Sequence, residues 1–294
     1  MLATRKSSDN KVLNTAGLPL EVSGLKKAFG GAGLLQRLPM IGRRLKADKA
    51  VQVVDGISFE VGRGEIYGVI GANGSGKSTL IRIISTLLLP DGGTCAVFGF
   101  DVVKDATQVR SLINRVSADP SFFRNMSAME NLLFFGRVYG MAPATIRARV
   151  PEILETLGLE PERAWEPMSR LSRGQQQKVA VARSFLTSPN LMLLDEPTTG
   201  LDPRSKREVQ AFIRRVRAEE DATVLLTTHD MEEAEVLCDR IAFLSDGRVA
   251  AEGTPEELRE AVAGGRPLDA ITMETVFMEL TGRSLEEDEP TKNL

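Results

Sequence analysis

Histidine is almost missing from this sequence: there is one, His229, in 294 residues. A metal centre built from clustered histidines is thereby excluded, and the single imidazole raises the question of what it serves. Cysteine is nearly as scarce. Cys95 and Cys238 lie far apart in no metal or redox spacing, the pattern of two lone buried thiols in a reducing cytosol. No apolar run reaches the roughly 20 residues of a membrane span. The opening Met1-Leu2-Ala3-Thr4-Arg5-Lys6 lacks the apolar core of a secretion signal. Action at a membrane would therefore need another chain to cross it. An excess of positive charge is also absent. The net charge of −3 at pH 7 leaves no basic footprint, and no nucleic-acid partner is expected. What is present, 42% hydrophobic and 26% charged residues, is ordinary for a soluble globular protein. The length allows one large domain or two small ones.

The most informative stretch is Gly71-Ala72-Asn73-Gly74-Ser75-Gly76-Lys77-Ser78-Thr79. It follows the apolar run Ile66-Tyr67-Gly68-Val69-Ile70, a buried strand by pattern, and leads into Leu80-Ile81-Arg82-Ile83-Ile84, the start of a helix. The nine residues match the glycine-rich phosphate loop. Glycines let the backbone curl so that several N–H groups aim at one anion. The following helix adds its unpaired amides and positive dipole end. In such a loop Lys77 brings a full charge to the β- and γ-phosphates, and Ser78 offers a hydroxyl to a phosphate-bound Mg²⁺.

Taken in order, residues 1 to about 17 are polar and expected to be mobile. A strand runs from Leu20 to near Phe29. Residues 31–49 hold Arg37, Arg43, Arg44, Lys46 and Lys49 against Asp48 alone. They read as a solvated basic insertion, with an amphipathic patch touching lipid headgroups or a partner as the alternative. A strand over Val51 to Val61, a turn at Pro90-Asp91-Gly92-Gly93 and a strand over Thr94 to Phe98 follow. From about 120 to 187 the pattern turns helical. Ser127-Ala128-Met129-Glu130 is a capping box, Pro143 opens a second helix, and a third is expected over Lys178 to Leu186. Strands return at Leu191 to Leu194, Thr223 to Thr227, Arg240 to Leu244 and Val249 to Glu252. Helices lie between them at about Pro203 to Ala218 and Met231 to Leu237. This alternation predicts an α/β fold, a largely parallel sheet with helices on both faces. Helices at Thr254-Pro255-Glu256-Glu257 and over Met273 to Leu280 close the chain, before an acidic tail, Leu285-Glu286-Glu287-Asp288-Glu289-Pro290, expected to be disordered.

Two further motifs carry chemistry. Leu191-Met192-Leu193-Leu194-Asp195-Glu196 is an apolar strand ending in two acids, delivered to the carboxyl edge of a parallel sheet where ligands bind. Asp195 can hold Mg²⁺ through water, and Glu196 can polarise a water for attack on the γ-phosphate. Leu171-Ser172-Arg173-Gly174-Gln175-Gln176-Gln177 precedes a helix and makes a second anion site by the logic of the first. One nucleotide has only one γ-phosphate, so this serine loop is expected to serve nucleotide held by a second copy of the chain or a related one.

With these motifs in this order, the chain resembles the nucleotide-binding subunit of an ATP-binding-cassette (ABC) transporter from about Leu20 to Gly253. Gly71 to Thr79 resembles the Walker A loop and Leu191 to Glu196 the Walker B strand with its catalytic glutamate. Leu171 to Gln175 resembles the LSGGQ signature, with Arg173 in place of the first glycine. Gly200-Leu201-Asp202-Pro203 resembles the D-loop, and Thr228-His229 the switch histidine that contacts the γ-phosphate and holds the attacking water. Phe29 resembles the aromatic residue that stacks on adenine, usually a tyrosine. The resemblance implies a P-loop NTPase ABC cassette with a RecA-like core, an antiparallel β subdomain and a helical subdomain, plus a short C-terminal helical extension over 254–294. It implies ATP and Mg²⁺ as ligands, with Glu196, His229 and Lys77 catalytic. Phe29, residues 71–79, Ser172, Gly174, Gln175 and Asp202 would bind nucleotide. Ser78, Asp195 and Asp119 would serve the metal. A transmembrane permease subunit and a second cassette are the implied partners, at the cytoplasmic face of the plasma membrane.

One departure stands out. The family's Mg²⁺-contacting glutamine falls at about Ala118 in Asn114-Arg115-Val116-Ser117-Ala118-Asp119-Pro120, so either Asp119 substitutes or the contact is lost. The segment Glu274 to Arg283, with Gly253 to Leu258, is similar to the end of bacterial type-2 exporter ATPases, the group that includes drug- and antibiotic-resistance pumps. Two other readings stay open: a soluble ABC-type ATPase acting on ribosomes or DNA, and a nucleotide-sensing module with little turnover.

Overall fold

The computed structural model describes residues 17–30 and 50–283. The expectations for the polar start, the basic insertion 31–49 and the acidic tail lie outside these residues. Among the described residues ten strands form two sheets. The larger is built on β3 (Ile66–Ile70), whose five residues are all buried. Its neighbours are β8 (Thr223–Thr228) on one side and β9 (Arg240–Ser245) on the other, both parallel to it. Next to β8 comes β7 (Leu191–Asp195), then β6 (Ile113–Val116) at the edge, again parallel. Only β10 (Arg248–Gly253), at the opposite edge beside β9, runs antiparallel. Continuous apolar runs suit such strands, because helices cover both faces.

The alternation of side chains along β7 sorts the core into two clusters. Met192 and Leu194 face the helical side, with Val179, Phe212 and Ile213. Leu191 and Leu193 face α1 (Lys77–Ile84), with Leu80 and Ile81, and the second sheet. That second sheet is antiparallel, in the order β2 (Val51–Val61), β1 (Leu20–Phe29), β4 (Gly92–Val97), β5 (Phe100–Asp101).

Between β5 and β7 lie α2 (Ala106–Leu112), β6 and three helices, α3 (Ala128–Val138), α4 (Pro143–Thr156) and α5 (Arg173–Phe185). The capping box at Ser127 is formed: Glu130 N–H donates to Ser127 Oγ at 3.2 Å and Ser127 N–H to Glu130 Oε2 at 2.7 Å. Helix α5 differs from the expected Lys178 to Leu186. It starts at Arg173, because Ser172 and Gln175 close a second capping box at 3.2 and 2.9 Å. The signature is therefore the helix's first turn rather than a loop before it. Neither α2 nor β6 was anticipated. Helices α6 (Pro203–Glu220) and α7 (Met231–Leu237) follow β7 and β8, and α8 (Pro255–Val262) and α9 (Met273–Thr281) follow β10. Cys95 and Cys238 are buried and free. Among the described residues no helix is long and apolar enough to cross a membrane.

Candidate functional site

The carboxyl ends of β3, β7 and β8 converge on one small region. β3 runs into the glycine-rich loop, whose curl requires Gly76. Its φ is +107°, and a Cβ there would sit 2.5 Å from the carbonyl oxygen of Val53 on β2. Lys77 begins α1 and turns back under the loop. Its side chain is 4% exposed, and the ammonium donates to the carbonyls of Gly71 at 2.7 Å and Ala72 at 3.0 Å. Burial lowers its proton affinity, and the carboxylates of Glu196 and Asp195 push it back up. The loop thus carries its own cation. Ser75 Oγ is buried beside it with no hydrogen-bond partner.

Asp195 ends β7 on the α1 face, 3% exposed. Its Oδ1 accepts from Ser78 Oγ at 3.2 Å and from Thr227 Oγ1, on β8, at 2.8 Å. Sequence reading placed Ser78 and Asp195 on one metal, and the fold puts them in contact. The pair offers only hard oxygen donors, few in number. Among the described residues no group of three or more His, Cys, Asp or Glu side chains is arranged to hold a metal. A few hard oxygen donors suit Mg²⁺, which keeps most of its ligands as water and phosphate oxygen.

Glu196 follows with φ +50°, a left-handed conformation that is costly for a residue with a side chain. The bend is held by its N–H donating to Thr227 O at 2.9 Å and by Thr199 Oγ1 donating to its Oε2 at 3.1 Å. It aims Oε1 into the site, 3.7 Å from Lys77 Nζ and 3.3 Å from Nδ1 of His229, just past the end of β8. His229 holds the Glu196 carboxyl below its usual pKa, and Glu196 raises that of the imidazole. Lys77, Ser78, Asp195, Glu196 and His229 are thus brought together from positions up to 152 apart in the chain.

The other expected residues stand apart from this group. Ser172 and Gln175 cap α5 on an exposed surface. None of the described hydrogen bonds or ion pairs joins them to the loop 71–79. Gly174 instead packs near Leu201 and Ser205. Asp202 caps α6, accepting from the N–H groups of Arg204 and Ser205 at 3.0 Å each. Phe29 is 40% exposed at the end of β1, paired with Val51 on β2, two residues from the Val53 carbonyl that abuts Gly76. Asp119, whose side chain is 96% exposed, lies 3.7 Å from Arg173. None of the described contacts brings it to Ser78 or Asp195.

Two residues went unnoticed in the sequence. Arg115, on β6, reaches Asp195 Oδ2 at 3.7 Å. Glu233, on α7, is 1% exposed and accepts from Thr198 Oγ1 at 2.7 Å. It fastens the turn after Glu196 to the helix after His229, and burial raises its pKa. Arg115 has no sequence signal beyond its place two residues before Ser117. Glu233 has one: an acid at an apolar helical position four residues after His229.

The pattern of an ABC transporter family matches residues 54–199. The chain is 39% identical over 243 residues to a daunorubicin/doxorubicin resistance ATP-binding protein of Streptomyces peucetius, covering 83% of this chain and 67% of that one. It is 35% identical over 277 residues to the Nod factor export ATP-binding protein I of a Rhizobium species (strain N33), covering 90% and 84%. Among solved structures it is similar to a dimeric ATP-binding cassette in a post-hydrolysis state bound to ADP and Pi. The TM-score is 0.69 at 26% identity, covering 80% of this chain and 98% of that one.

Proposed function

The chain belongs to the ABC transporter family as an ATP-binding, ATP-hydrolysing subunit, and from that premise we propose the division of labour that follows. Residues 18–253 form the cassette, with a helical subdomain over about 120–187, and 254–294 form an extension. The observation that carries the reading is the meeting of Lys77, Ser78, Asp195, Glu196 and His229 at one sheet edge. The loop N–H groups and Lys77 take the β- and γ-phosphates once the ammonium leaves the carbonyls of Gly71 and Ala72. Ser78 and Asp195 would hold Mg²⁺, which when bound offsets phosphate charge. Glu196, kept ionised by His229, takes the proton of the attacking water. His229, whose proton affinity Glu196 raises, donates to the γ-phosphate. Catalysis of this kind is positioning and electrostatic stabilisation.

Ser172 is exposed at the start of α5, with Gly174 and Gln175 in the same turn, so these residues complete the site of a second cassette placed head to tail, with Asp202 and its turn at the seam. Phe29, on the rim beside the phosphate loop, supports the adenine.

The driven machine is a separate transmembrane permease, and the work is export at the cytoplasmic face of the membrane. Exposed aromatic side chains support a docking surface for it. Phe123, Phe134 and Phe135 pack edge to face and stacked beside the segment that follows β6, with Phe123 48% and Phe134 43% exposed. The test is purification of the tagged chain from detergent-solubilised native membranes. A polytopic membrane protein is expected to copurify. Ribosomal or DNA-bound proteins in its place would overturn the export reading and leave only the ATPase chemistry.

A further inference from the structure

We propose that Arg115 is a built-in counter-cation for Asp195, contending with the divalent cation for that carboxylate and so setting how much Mg²⁺ the chain needs to hold nucleotide. The inference rests on the ATP-binding reading. It begins with strand register. Arg115 pairs with Leu193, two residues before Asp195 on the neighbouring parallel strand. Side chains two apart share a face, so Arg115 and Asp195 both point to the α1 side, whereas Asn114 points the other way and donates to Thr187 Oγ1 at 2.9 Å.

The partners of Asp195 divide between its two oxygens. Oδ1 accepts from Ser78 and Thr227 at 3.2 and 2.8 Å. Oδ2 faces Arg115 Nη2 at 3.7 Å. The guanidinium is fixed there by a 3.2 Å bond from Nη2 to Ser117 Oγ. Its Nε is buried with no acceptor. Burial without full pairing is unfavourable for a guanidinium, so the arrangement is maintained by the attraction of Asp195. The other acid of this turn, Asp119, is drawn off to Arg173, which leaves Arg115 no nearer carboxylate among the described contacts. A divalent cation arriving with nucleotide must share Asp195 with a positive charge already beside it. Arg115 either yields or keeps the cation weakly held.

The experiment is equilibrium binding of a fluorescent, non-hydrolysable ATP analogue by the full-length chain while Mg²⁺ is titrated. Removing a like charge at this range is worth about one to two units on a logarithmic scale, so Arg115→Met is expected to lower the half-saturating Mg²⁺ by about tenfold or more. Arg115→Lys, which keeps the charge, is expected to stay close to the parent. An unchanged or raised midpoint in Arg115→Met would overturn the proposal, as would an equal fall in the lysine variant. Should Arg115→Met fail to give a cooperative thermal melt, Arg115→Gln bears the same test. Absence of nucleotide binding by the parent chain at every Mg²⁺ concentration would instead overturn the ATP-binding reading, and this inference with it.

Discussion

Nδ1 of His229 lies 3.3 Å from Oε1 of Glu196, and each group moves the other's proton affinity toward the charged form. The pair is a carboxylate whose pKa is lowered and an imidazole whose pKa is raised, each favouring the other's charged form. A base and a cation set side by side against the same phosphate is an arrangement suited to moving one proton off a water molecule.

Replacing Glu196 with Gln removes the base and leaves the loop intact. Steady-state phosphate release is expected to fall by about 10²- to 10⁴-fold, with ATP binding retained and a dimer persisting in ATP on a sizing column. Lys77→Ala is expected to act earlier and weaken ATP binding itself. Undiminished turnover in the glutamine variant would remove Glu196 from the base role.

His229 is the only histidine, so its ring protons give a single set of imidazole signals to follow by NMR. The titration midpoint is expected above 6.5, the ordinary value, and Glu196→Gln should bring it down. The stability linked to the pair follows from the two directions. The histidine's share is full below 6.5 and fades as pH rises through its raised value. The glutamate's share is full above 4.5 and fades as pH falls through its lowered one. Thermal melts of the parent and His229→Gln should therefore differ most between pH 4.5 and 6.5.

Burial raises the pKa of Glu233, and Thr198 donates to its carboxyl. Glu233→Ala orphans that hydroxyl and opens a void, at a cost of about 1–3 kcal/mol measured by denaturant unfolding. Glu233→Gln keeps an acceptor and is expected to stay near the parent. Because the folded protein raises this carboxyl's pKa, its contribution declines as pH rises above 4.5. The glutamine variant cannot ionise and should gain on the parent as the medium becomes more alkaline. In turnover, Glu233→Ala should lower kcat more than it raises KM, since it loosens the turn carrying Glu196 and leaves the phosphate loop untouched.

The parts of the site that were legible in the sequence are those whose geometry is local. A glycine-rich curl, an N-capping serine and a strand ending in two acids each state a backbone requirement within a few residues, and Gly76, Ser127 and Asp195 meet theirs. The start of α5 was misplaced because a serine followed by Arg-Gly reads as loop, while Gln175 three residues on completes the cap. Strand β6 was missed for its brevity: four residues, one of them the charged Arg115. The contact of Arg115 with Asp195 depends on which strand lies next to β7 and in what register, and no local pattern states that. Glu233 hid in an acidic run, Glu232-Glu233, where only the depth of α7 against β3 and β8 distinguishes a buried acid from a solvated one.

The outward-facing cap of α5 has a genetic meaning. If two identical copies pair head to tail, each site takes its phosphate loop from one copy and its Ser172 from the other. An allele that loses Lys77 and an allele that loses Ser172 are then each inactive alone. Expressed together, they form mixed pairs in which both defects fall in one site and the other is whole. Two null alleles would complement each other in the same cell.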